Sequence, residues 1–317
     1  MTKKMMVIMD EISCIKPEKD TTLAILLEAK KRSLAIFYAR ATDLTLVNGR
    51  VKAYTRKIDV FDDKFKWHNY LEDRPLVPID LSEFDFVIMR KDPPVDQNFI
   101  YLLYLLEFAH KNQTKVFNNP SSILKTNEKI STNWFPQIIP NSLVSNSKDD
   151  LMGFLQQQED IIVKPLNQMG GRSIFRVTNK DSNANVIFET MTNYSSDFCI
   201  AQKFIPEISQ GDKRILLIEG EPFPYALARF PKDNENRGNL AAGGKAKIVE
   251  INDRDKEICK VIKNTIIKLE LIFVGLDVIG PYLTEINVTS PTCVREIEES
   301  TKLNISATIL ESMLAKI

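Results

Sequence analysis

Asp277, Glu285 and Asn287 are the residues whose types and spacing best suit a hard cation. They lie in the run Asp277–Asn287, which reads as two short strands about a tight Gly280-Pro281 turn. Side chains alternate along a strand, so Glu285 and Asn287 project to one face. A three-residue loop of Gly280, Pro281 and Tyr282 sets Asp277 opposite Glu285 on that face. Two carboxylates and an amide then converge, the oxygen chemistry that Mg²⁺ takes while sharing its shell with water and phosphates. An amphipathic strand with its polar side in water would show the same alternation. The hydroxyl-rich run Val288-Thr289-Ser290-Pro291-Thr292 tips the balance, because such a turn beside a cation suits an anionic ligand.

Two further motifs carry positive charge. Lys164 ends the apolar run Ile161-Ile162-Val163 and is followed by Gln168-Met169-Gly170-Gly171-Arg172-Ser173. Glycines let a backbone turn sharply and present N–H groups to phosphate oxygens, and the lysine adds a point charge. Ordinary turn geometry would also use a glycine pair, and the order of a P-loop is absent. Asp212–Ile218 and Pro222–Arg229 form a hairpin across Glu219-Gly220-Glu221. In any two-residue-loop register Arg214 and Arg229 share a face. Arg237 follows in the polar segment 231–244. Three arginines near a cation suit an anion whose charge grows during reaction, although hairpin arginines can simply be solvated. Lysines on the phosphates, an Asp/Glu/Asn set on metal and arginines on the transferred group describe nucleotide-dependent phosphoryl transfer.

The elements that must position these residues read as α/β. Met5–Met9, Leu34–Tyr38 and Phe84–Met89 are continuous apolar strands, separated by a helix over about Thr21–Arg32 with Asp20 or Thr21 as its cap. Such strands form a parallel sheet covered on both sides, with ligands beyond their carboxyl ends, where Arg90 stands. Asn119-Pro120 starts a helix that carries Lys129 toward Trp134. A helix at Lys148–Gln158 and strands at Ile161–Val163, Ser173–Val177 and Phe198–Phe204 follow.

Bulk composition narrows the chemistry. Of 317 residues, 44% are hydrophobic and 26% charged, and 42 basic residues balance 42 acidic ones, so no nucleic-acid or membrane partner is indicated. Apolar runs fall short of a bilayer span and no signal peptide is evident, so the chain is expected in the cytoplasm. Four scattered cysteines and two histidines offer neither a zinc site nor a Ser-His-Asp triad, which leaves carboxylates, lysine and arginine to carry the reaction.

Met89–Pro94, Lys164-Pro165-Leu166, Met169-Gly170-Gly171, Gly238–Gly244 and Thr284–Cys293 together resemble the bacterial glutathione synthetases, ATP-grasp ligases. The resemblance runs from the first strand to about Glu298. It implies an N-terminal Rossmann-like domain over 1–122, a small α+β lid over 123–203 and a C-terminal ATP-grasp catalytic domain over 204–317. By the same resemblance Lys129 and Lys164 contact ATP phosphates, and Gly170, Gly171 and Ser173 belong to the phosphate-covering loop. Gln202, Lys203, Phe204 and Ile205 hold the adenine edge, Asp212 joins the nucleotide site, and Asp277, Glu285 and Asn287 bind Mg²⁺, for which Mn²⁺ can stand in, as two ions. Arg214 and Arg229 face the γ-phosphate and acyl phosphate, while Arg90, Arg237, Gly244, Ser290 and Thr292 serve peptide substrate or intermediate. Gln168 and Arg172 depart from the family's usual small residues. The implied reaction joins γ-glutamylcysteine and glycine at the expense of ATP, in a homotetramer. A related ligase would use D-alanine or glutamate instead, a non-catalytic ATP-binding module would show no turnover, and an unrelated α/β binding protein would show no thermal shift with Mg-ATP. Asp277→Ala or Glu285→Ala is expected to lose turnover in a chain that stays folded.

Overall fold

The computed structural model describes residues 2–72, 77–232 and 245–317. Arg237 and Gly244 therefore lie outside the described residues, as does nearly all of the segment 231–244.

A six-stranded sheet comes first. Its order is His68–Tyr70, Arg56–Val60, Ala35–Ala39, Lys4–Ile8, Phe86–Met89, Lys115–Phe117, with the last four strands parallel. The run Met5–Ile8 is wholly inaccessible. Its alternate residues serve two cores: Met5 and Val7 pack with Leu23, Ile25 and Leu26 of helix Thr21–Lys31, and Met6 and Ile8 with Phe99, Leu102 and Leu103 of helix Gln97–Lys111. Asp20 and Asp96 cap these helices through the amides of Leu23 and Phe99. The polar stretch after residue 43 forms a small antiparallel sheet from Leu44–Val47, Arg50–Ala53 and Ile79–Asp80.

A four-stranded antiparallel sheet runs in the order Ser142–Ser145, Cys199–Lys203, Asp160–Pro165, Phe175–Thr178. Helices Lys148–Gln158 and Ala184–Met191 cover it and close a separate core. A five-stranded antiparallel sheet follows, ordered Lys245–Glu250, Glu221–Phe230, Asp212–Ile218, Phe273–Ile279, Tyr282–Asn287. Helix Asp253–Lys268 packs on one side, and Val294–Thr301 and Ile305–Leu314 on the other. Both cores of the first sheet continue into this one, whereas the four-stranded sheet has its own. Among the described residues no helix is long and apolar enough to cross a membrane.

Two expectations need correction. The helix from Pro120 ends at Lys125, and Lys129 precedes a separate short 3₁₀ turn over Ile130–Trp134. Thr126 leaves the helical region and its hydroxyl donates back to the Ser122 carbonyl, stopping the helix so that residue 128 can run beside the strand Tyr282–Asn287. The hairpin turn has two residues, not three: Ile279 pairs with Tyr282, and a bulge at Thr284 restores Asp277 opposite Glu285. Gly280 holds φ at +53°, the conformation that a two-residue turn with glycine first requires. A Cβ there would also stand 2.9 Å from Cβ of Glu207. Gly280→Ala is expected to destabilise the chain by about 1–2 kcal/mol, read as a fall of a few degrees in melting temperature.

Candidate active site

The hairpin register sets Asp277 and Glu285 side by side with Asn287 on the same face. The neighbouring strand brings Arg214 directly opposite Asp277, and the strand beyond brings Arg229 opposite Asp212. Arg214 holds both Asp277 oxygens, with Nη2 to Oδ2 at 3.0 Å. Arg229 Nη2 reaches Asp277 Oδ2 at 2.9 Å and also donates to Asp212 Oδ2. Two carboxylates and two guanidiniums thus form one buried, charge-balanced cluster. Gly275 makes room for it, because a Cβ there would lie 3.0 Å from Cδ of Arg214.

Asp277 and Asp212 titrate apart. Burial works to raise Asp277, but Arg214 and Arg229 together outweigh it and hold the carboxyl far below the usual range. Burial pushes Asp212 up, against Arg229, and the charge of Asp277 adds to the rise. Asp212 Oδ1 is buried with no hydrogen-bond partner among the described residues.

The four-stranded sheet delivers Lys164 from the end of Asp160–Pro165, with Nζ 3.8 Å from Glu285 Oε1. Lys129 Nζ donates to the Gln168 carbonyl at 2.8 Å and so ties the chain at 129 to the glycine loop. Gly170, Gly171 and Ser173 all hold positive φ, at +67°, +78° and +54°. Gln202, Lys203, Phe204 and Ile205 line a narrow slot of about 70 Å³ that ends at Asp212, Asp277 and Glu285. The Lys203 and Phe204 amides are committed to the Asn141 and Asp160 carbonyls, both at 2.9 Å, whereas the Ile205 amide meets no backbone carbonyl among the described residues and is open to a ligand edge.

A wider cavity of about 280 Å³ opens on the other side of the same cluster. Its wall includes Gly170, Arg214, Arg229, Asn287, Ser290 and Thr292, and it shares Asp277 and Glu285 with the slot. Arg214 Nη1 donates to Thr292 Oγ1 at 3.4 Å. Arg90 is not part of that wall. It is buried, donating to Thr22 Oγ1 at 3.1 Å and to the Pro291 carbonyl at 2.8 Å, while Ser290 Oγ donates to the Arg90 carbonyl. Arg90 therefore fastens the turn 288–292 to the first sheet.

Sequence reasoning missed Glu128. Its Oε1 accepts from the Val288 and Thr289 amides, at 2.9 and 3.1 Å, and from Thr289 Oγ1 at 2.9 Å. Burial raises its carboxyl despite these donors. Only the adjacency to Lys129 could have drawn notice, since its partners lie about 160 positions away.

Asp277, Glu285 and Asn287 offer two carboxylates and an amide oxygen, a donor set that suits a hard cation. The Asn287 amide nitrogen donates to the Gly275 carbonyl at 3.3 Å, which turns its oxygen the other way. Asp277 is already neutralised by arginine, so Glu285 and Asn287 are the less committed donors.

Known proteins resemble both halves of the chain. The family model for the ATP-grasp domain of prokaryotic glutathione synthetase matches residues 128–302, and that for the N-terminal domain matches residues 3–123. The glutathione synthetase of Yersinia pestis is 47% identical over 311 residues, covering 98% of this chain and 97% of that one. A crystal structure of a D-cycloserine synthetase superposes with a TM-score of 0.70 at 10% identity, over 99% of both chains. An ATP-grasp ligase solved with a precursor variant, Mg and ADP gives 0.60 at 14% identity, again over 99% of both. The fold is accordingly an N-terminal Rossmann-like domain followed by ATP-grasp. The chain belongs to the prokaryotic glutathione synthetase family.

Proposed function

We propose that ATP lies with its base in the slot of Gln202–Ile205 and its triphosphate over the Asp277–Glu285 pair, reaching a peptide substrate held in the wider cavity. As a member of that family the chain is an ATP-dependent ligase that forms glutathione. The observation that carries the site assignment is that slot and cavity meet at the same two carboxylates.

In this reading the cysteinyl carboxylate of γ-glutamylcysteine attacks the γ-phosphorus, and ADP leaves. The glycine amine then attacks the acyl carbon, a proton is lost from nitrogen, and phosphate departs with the C–O bond electrons. Arg214 and Arg229 face the charge that gathers on the transferred group, Lys164 and Lys129 bind ATP phosphates, and Gly170, Gly171 and Ser173 close over them. Mg²⁺ held by Asp277, Glu285 and Asn287 would neutralise triphosphate charge, as the ligase solved with Mg and ADP suggests. Two ions, with Mn²⁺ as a substitute, complete that proposal. Arg237 and Gly244 are assigned to the intermediate and Ser290 and Thr292 to the peptide.

Domain limits at 122/123 and 203/204 and a homotetramer complete the reading, the latter checked by light scattering. A cytoplasmic location accords with four unpaired cysteines. Phosphate release should require γ-glutamylcysteine, glycine and Mg-ATP together, and EDTA should abolish it until Mg²⁺ is restored. Release with D-alanine or glutamate in place of glycine would instead point to a different ligase. Lys164→Met should raise KM for ATP by about tenfold or more, because a charged contact to phosphate is worth roughly 1.5–3 kcal/mol.

A further inference from the structure

Three successive carbonyls in the turn after strand Asp160–Pro165 accept hydrogen bonds from outside their own sheet. Leu166 takes the Asn127 side-chain amide at 3.1 Å, Asn167 the Val95 backbone amide at 3.3 Å, and Gln168 the Lys129 ammonium at 2.8 Å. The glycine loop that follows is therefore rooted on two other segments, one just before helix Gln97–Lys111 and one at 127–129. Of these three contacts only that of Lys129 involves a residue of the scheme above.

Asn127 is engaged at both ends of its side chain. Its Oδ1 accepts from the Lys129 and Ile130 amides at 3.1 and 3.0 Å, which fixes the bend into the 3₁₀ turn Ile130–Trp134 and with it the place of Lys129. Its Nδ2 reaches across to the loop root. Two N–H donors on one side and a carbonyl on the other leave a single orientation for the amide. A lysine ammonium carries three N–H bonds, so Lys129 can keep the Gln168 carbonyl and still meet a phosphate oxygen. We propose that Asn127 is a positioning residue for the nucleotide: by fixing Lys129 to the root of the glycine loop, it holds both ready for the same triphosphate. This assignment rests on Lys129, Gly170, Gly171 and Ser173 meeting the ATP phosphates.

The gain is one of conformational entropy. A loop with a fixed root loses less freedom when it settles on the phosphates, so less of the binding free energy goes into ordering it. The turn 288–292 is held separately, by Glu128 and Arg90, so the effect should be confined to ATP.

Asn127→Ser separates the two ends of the side chain. A serine hydroxyl caps a helical turn about as well as asparagine, but it is too short to reach the Leu166 carbonyl. On the full chain this variant should raise KM for ATP by about three- to tenfold, the scale of one net hydrogen bond. KM for γ-glutamylcysteine and for glycine should be unchanged, and the melting temperature should stay within about two degrees, because water can take the freed carbonyl. Asn127→Ala should raise the same KM and also lower the melting temperature by a few degrees, since the cap is lost as well. Trypsin reads the loop without nucleotide: Arg172 is exposed within it, and cleavage after Arg172, followed by mass spectrometry, should be about threefold or more faster in Asn127→Ser than in the native chain. Native KM for ATP in Asn127→Ser, an equal rise in KM for all three substrates, or native cleavage at Arg172 overturns the assignment. A native chain that shows no thermal shift with Mg-ATP would instead overturn the functional reading beneath it, with the cleavage rates still reporting on the Asn127 contact.

Discussion

Asp277→Ala is expected to cost the folded state about 3–5 kcal/mol as well as nearly all turnover. Asp277 neutralises Arg214 and Arg229 at once, and all three are buried. Removing one partner of a buried ion cluster leaves uncompensated charge, and that penalty exceeds the worth of the hydrogen bonds themselves. The remaining acid, Asp212, is held up by burial and already serves Arg229, so it cannot replace Asp277 for both arginines. The expectation from sequence that this variant simply stays folded therefore changes. Denaturant titration should show the midpoint falling with little change in slope, and phosphate release should drop by about a thousandfold or more. A variant as stable as the native chain would mean that Arg214 and Arg229 find other partners.

Glu285→Ala separates the two effects. Its carboxylate lies in the junction of slot and cavity, 3.8 Å from Lys164, and is partly accessible. Both side chains are largely shielded, but at 3.8 Å they make no hydrogen bond, so the loss should stay near 1–2 kcal/mol and lower the melting temperature by only about a few degrees. Turnover should nevertheless fall by roughly 10²–10³-fold, the scale for removing one preorganised electrostatic group at the reacting charge. Retained activity in this stable variant would remove Glu285 from the site.

Much of the cluster was legible because strand parity needs only the order of residues. Arg214 and Arg229 share a face even though a bulge adds two residues to the strand Glu221–Phe230, since an even insertion keeps the alternation. Asp277 meets Glu285 for a less direct reason: a turn one residue shorter than expected is offset by the bulge at Thr284. Pairings between distant segments were not legible. Spacing gives no hint that the Glu128 carboxylate would gather the amides of Val288 and Thr289, or that Arg90 would turn away from the cavity to hold the Pro291 carbonyl. The early end of the helix from Pro120 was hidden for the same reason. Pairing of the Glu128 carbonyl with the Ile286 amide, far away in the chain, draws residue 128 out of helical register. The ion pairing of Asp277 was equally hidden, because residue type alone does not say whether a carboxylate serves a cation or an arginine.

Crystals grown with ADP and Mn²⁺ bear most directly on the account. Anomalous scattering should place an ion about 2 Å from oxygens of Glu285 and Asn287 and beside Asp277, with the diphosphate on its far side and the base against Ile205. Nucleotide bound elsewhere, or bound in the slot with no ion near these three side chains and Glu285 directed into solvent, would contradict it.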